Sequence, residues 1–214
     1  MLNGLTLLAL SNAILAFSSL FGVFLLIQGY RIAVQKIPVM CALIAFAMVT
    51  IASVFGMLST GFSPAWSAPF ELMSEATRTL APPALAAAIA SLRWKKEWSR
   101  QNWWRAMIGL MVGYELARWS GYLVLYQNTI AAASIGTMVA AVVSSSGTMQ
   151  RTFTLFLIVA IIAYGLVALA LFAQGSAEGF LRQELYRYLL ALGNLFSASA
   201  IFSFLKCELR ARSL

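Results

Sequence analysis

The chain has 214 residues, 61% hydrophobic and only 10% charged, with a mean hydropathy of +0.83. A soluble domain carries about 25% charged residues, so a water-soluble globular fold is excluded and a bilayer must solvate most of this surface. The formal charge is +8, but cations of a membrane chain collect in cytoplasmic loops for topological reasons, so the excess is not read as a nucleic-acid footprint.

At about 20 residues per crossing helix, the length accommodates six or seven spans and no separate soluble domain. Residues 1–214 are therefore expected to form one all-α, polytopic transmembrane bundle. The first expected span is 5–27, with Ser11, Asn12, Ser18 and Ser19 as polar exceptions. It lacks the basic leader of a secretory signal and is read as a retained helix. The second, 37–58, follows Arg31 and Lys36 and runs into Ser59–Trp66, a turn-rich stretch ending in an interfacial tryptophan. The third, 70–92, holds Glu71, Glu75, Arg78 and the pair Pro82-Pro83.

The most basic stretch comes next. Arg93, Lys95, Lys96, Arg100 and Arg105 interleave there with Trp94, Trp98, Trp103 and Trp104. Such mixing also serves single-stranded nucleic acid. Between two spans it reads instead as cytoplasmic charge that fixes topology, with tryptophans anchored at the headgroups. The expected partners are the lipid bilayer, with a preference for anionic lipids, and no nucleic acid.

Span 106–126 follows, then 130–147, which is short and rich in small residues, then the uncharged 152–173. The last span, 188–205, ends in Lys206, Arg210 and Arg212. Whether 130–147 crosses decides the topology. Seven spans, with the N-terminus outside and the C-terminus cytoplasmic, put eleven cations inside against Arg182 and Arg187 outside. Six spans, the alternative, would invert the last two helices. The positive-inside rule favours seven.

Two copies of one motif, Glu75-Ala-Thr-Arg78 and Glu115-Leu-Ala-Arg118, fall in the third and fourth spans. Residues three and four apart share a helix face. In antiparallel neighbours Glu75, Arg78, Glu115 and Arg118 are thus expected to close a reciprocal ion cluster, with Glu71 at the outer mouth. Charges at that depth cost a few kcal/mol each, which demands pairing. The cluster reads equally as a substrate or ion pathway and as a structural clasp.

Pro82 and Pro83 withhold two backbone donors, so a kink or interruption is expected one turn further in. Gly109, Gly113, Ala117 and Gly121 form a small-residue stripe that would make the fourth span a central one. Asn194, Ser197 and Ser199 read as interhelical hydrogen bonding.

The chain has no histidine and no aspartate, and its two cysteines, Cys41 and Cys207, are far apart. That leaves no Ser-His-Asp arrangement and no histidine-based zinc site. No metal, no cofactor and no enzymatic activity are expected. The leading expectation is a small transport or channel-like protein of a bacterial-type inner or plasma membrane, alone or as a homo-oligomer. The alternative is a non-catalytic membrane subunit or receptor-like module that docks a protein partner in a membrane complex.

Overall fold

Away from water a backbone must satisfy its own polar groups, and helices do so within one segment. The computed structural model describes residues 4–95, 98–144, 151–172 and 179–212, and the regular elements among them are all helical. There are seven α-helices among the described residues: α1 (Gly4–Ile32), α2 (Lys36–Gly61), α3 (Ser67–Trp94), α4 (Arg100–Trp119), α5 (Leu123–Val143), α6 (Arg151–Phe172) and α7 (Gly179–Arg212). A short 3-10 turn, Pro64–Trp66, precedes α3.

Five of these, α1, α2, α5, α6 and α7, are long and apolar enough to cross a membrane. The other two are more polar for a visible reason. α3 carries Glu71, Glu75, Arg78 and Arg93, and α4 carries Arg100, Arg105, Glu115 and Arg118.

The contacts fix the direction of each helix. Asn12 meets Gly56 and Gly22 meets Phe46, so α2 opposes α1. Phe70 meets Gly56 and Thr77 bonds Met48, so α3 opposes α2. Phe153 packs against Phe204 while Tyr164 meets Asn194, so α6 opposes α7. Gly22 against Ala198 and Gly29 against Leu205 make α1 and α7 parallel. Arg93 and Trp94, at the end of α3, both reach Ser144 at the end of α5.

The extensive helix–helix contacts close a ring: α1–α2–α3–α5–α6–α7 and back to α1. Each ring helix contributes a large, fully buried apolar side chain to a shared core, among them Leu26, Phe46, Ile89, Met138, Leu157 and Ile201. This plug fills the half of the ring towards the Arg93–Ser144 end. α4 stays outside the ring and touches α3 and α5 only sparsely. The small-residue stripe had suggested a central fourth helix, and that expectation is corrected.

The fourth span is also displaced from 106–126. Ser99 caps α4 by accepting from the Asn102 N–H at 3.3 Å, and the helix stops at Trp119. The chain reverses through Gly121 at φ +76°, a conformation that costs glycine little. Residues assigned to the end of the fourth span therefore open α5. That helix starts at Leu123, not 130, and gains the length that segment lacked.

Pro82 and Pro83 do not interrupt α3, which is helical through both. Their neighbours Ala81 and Ala84 are buried against Ala45 of α2, and close packing is what lets a helix keep its course where backbone donors are missing. Lys96, residues 145–147 and residue 173, all included in the expectations above, lie outside the described residues.

Candidate functional site

The polar exceptions of α1 recur at positions 11, 12, 18 and 19, a spacing that puts them on one face. All four are buried. α7 presents a matching stripe of Glu184, Arg187, Asn194 and Ser197, and the parallel register brings the two together. Arg187 Nη1 donates to the Leu8 carbonyl at 3.3 Å and to Ser11 Oγ at 3.4 Å. Ser18 Oγ donates to the Ala191 carbonyl, and Asn194 Nδ2 donates to Ser19 Oγ at 2.9 Å.

α6 completes this layer with Tyr164, whose hydroxyl donates to Asn194 Oδ1 at 2.8 Å and lies 3.1 Å from Ser197 Oγ. The ring of Tyr164 packs against Gly193, where a Cβ would come within 2.6 Å of Cε1. Asn194 and Ser197 thus bond between helices, as read from sequence, whereas Ser199 bonds only the Leu195 carbonyl of its own helix, at 2.8 Å.

Two groups in the same half of the ring are less well served. Asn12 is 2% exposed, and its Nδ2 is buried with no hydrogen-bond partner. It is wedged where Phe70 of α3 also closes on Gly56 of α2. Arg78, two turns further along α3 than Phe70, lies within electrostatic reach of Arg187, as does the buried Glu184. No ion pair within 4.0 Å joins a carboxylate to either arginine among the described residues.

The expected four-membered cluster does not close. Glu75 accepts a hydrogen bond from the Tyr114 hydroxyl of α4. Glu115 pairs with Arg118 of its own helix at 3.1 Å, with the two side chains 50% and 54% exposed. The early end of α4 sets Tyr114 level with Glu75, and Glu115, the next residue, projects about 100° further round the helix. Glu71 is exposed near the start of α3. The glycine stripe is split in the same way. Gly113 receives the Tyr126 ring and Ala117 is buried, but Gly109 has open space beside it and Gly121 lies in the turn.

The basic, tryptophan-rich segment divides by role. Arg93 Nη2 donates to the Ser144 carbonyl and Trp94 Nε1 to Ser144 Oγ at 3.1 Å, tying α3 to α5. Lys95 caps α3 at φ +50°. Trp98 and Trp103 pack ring on ring at 5.4 Å, while Trp104, Arg100 and Arg105 are exposed.

Sequence reasoning missed Arg187 and Glu184 because it began the last span at 188 and put both in a loop. The available signal was their spacing: Arg187 lies seven residues, about two turns, before Asn194, and Glu184 lies three before Arg187. No group of three His, Cys, Asp or Glu side chains converges among the described residues, and neither Cys41 nor Cys207 is in a disulfide there.

No family model, curated protein or solved structure matches the chain.

Proposed function

We propose that this is a small membrane transport or channel-like protein for an anionic solute, with all seven helices crossing, the N-terminus outside and the C-terminus cytoplasmic. The alternating helix directions support seven crossings. The end that gathers Lys36, Arg93, Arg100, Arg105, Arg151 and Arg210 is cytoplasmic by the positive-inside rule. In that frame the polar layer occupies the outer half of the ring and the apolar plug seals the inner half, as hydrophobic constrictions do in gated pores.

The observation that carries the reading is Arg187 inside the polar layer, bonded to the Leu8 carbonyl and Ser11 Oγ, with Arg78 of α3 within its Coulombic range. Two cations from different helices, each about two or three turns inside its helix, repel one another, with Arg78 exposed and Glu184 offsetting part of the charge on Arg187. An anion held between them relieves that repulsion, and the unpaired amide of Asn12, next to Arg187's partner Ser11, offers a further donor. The pathway moves accordingly from the Glu115–Arg118 pair to Arg78, Arg187 and Asn12.

Flux of chloride, acetate and phosphate into proteoliposomes tests this. Wild type should pass at least one of them, Arg187→Gln and Arg78→Gln should abolish that flux at unchanged protein yield, and Arg118→Ala should leave it intact. Flux insensitive to Arg187→Gln would sink the proposal.

The rival, a docking subunit, draws on the sparse packing of α4. It requires a protein partner at fixed stoichiometry in native mass spectra of gently extracted material.

A further inference from the structure

The face of α4 that turns away from the ring has no place in the polar layer. Trp104, Ile108, Met111 and Val112 are 56%, 56%, 56% and 52% exposed, and their spacing of three and four puts them in one stripe. The rotation of α4 is set by Trp103, which is 4% exposed and packed on Trp98. Its neighbour Trp104 must therefore point outward. Arg100 and Arg105, both exposed, stand about 140° apart around the helix, one on each flank of the stripe where it begins. Neither is in an ion pair among the described residues. Arg93, in contrast, is already engaged with Ser144.

From Arg100 to Val112 the stripe runs about 18 Å, close to the depth of one leaflet in a hydrocarbon core of about 30 Å. Beyond it, Glu115 and Arg118 interrupt the apolar surface. A cationic fork above one leaflet's depth of apolar side chains matches a molecule with an anionic head and a long apolar tail. A second copy of this chain fits poorly, because a two-fold axis along α4 would bring four arginines together.

We propose that this face of α4 binds one anionic glycerophospholipid of the cytoplasmic leaflet. Its headgroup phosphate lies between Arg100 and Arg105, and an acyl chain lies along Trp104, Ile108 and Met111. The site is separate from the Arg78–Arg187 layer and does not depend on transport.

The test is native mass spectrometry of the full chain released from nanodiscs containing equal phosphatidylglycerol and phosphatidylcholine. Wild type should retain phosphatidylglycerol preferentially. Each cation near an anionic headgroup contributes about a fivefold preference, so R100Q/R105Q should lose most of it while R100K/R105K keeps it. Trp104→Ala should lower retention of both lipids. The C-terminal pair R210Q/R212Q should leave the preference unchanged. Equal retention of the two lipids by wild type, or an equal loss in R210Q/R212Q, overturns the proposal. So does a co-purifying protein that departs with R100Q/R105Q, which would make the face a protein-docking surface.

Discussion

Asn194 joins three helices through two hydrogen bonds, accepting from Tyr164 of α6 and donating to Ser19 of α1. Polar side chains within a bilayer bond because hydrocarbon offers them nothing else, yet each interhelical bond contributes only about 0.6–2 kcal/mol. Asn194→Ala should therefore lower unfolding stability in bicelles by about 1–2 kcal/mol. Ser199→Ala, which removes a bond confined to α7, should change it by less than about 0.5 kcal/mol. Equal effects would mean that the layer does not tie the helices together. The residue types of this layer were legible in the sequence, since Asn and Ser on an apolar helix face need partners. The partners were not, because which helix faces which is set by packing between segments far apart in the chain. Arg187 is the sharpest case: an arginine beside an apolar run reads as a loop residue until the helix is known to begin two turns earlier.

At the scale of the helices, contact between neighbours is governed by glycines with quite different surroundings. A Cβ on Gly193 would fall 2.6 Å from Tyr164 Cε1, whereas Gly136 and Gly165 have nothing within 4 Å. Gly193→Ala should push α6 from α7 and cost about 1–3 kcal/mol. Gly165→Ala should be neutral or stabilising by up to about 1 kcal/mol through helix propensity. Thermal unfolding of the two variants in one detergent checks the contrast, and similar midpoints would contradict the packing described. Helix identity was largely readable: all seven apolar runs fall in helices, and the first, second, third and sixth keep close to their expected bounds. The shifts of the fourth and fifth turn on Ser120-Gly121, a turn signal inside an apolar run. Missing it moved the end of α4 by about two turns. The doubled Glu-x-x-Arg motif then reads as facing itself across two helices, whereas Glu75 accepts from Tyr114.

Among the described residues, the molecule is a ring of six helices with a seventh outside it. The ring's apolar plug and its polar layer occupy opposite halves. No composition or periodicity argument orders helices around a ring, so the exclusion of α4 could not be read from the sequence, and the small-residue stripe pointed the other way. The ring requires α5 to cross in full. Were it to lie on one side, α3 and α6 would lose the neighbour that closes the ring between them. Cysteine accessibility in intact cells tests this most directly, in a background with Cys41→Ala and Cys207→Ser. With a membrane-impermeant maleimide, Phe62→Cys and Tyr122→Cys should label from outside. Lys95→Cys, Arg151→Cys and Lys206→Cys should label only after permeabilisation. Labelling of Tyr122→Cys and Arg151→Cys from the same side would contradict the seven-span ring and, with it, the placement of the Arg78–Arg187 layer.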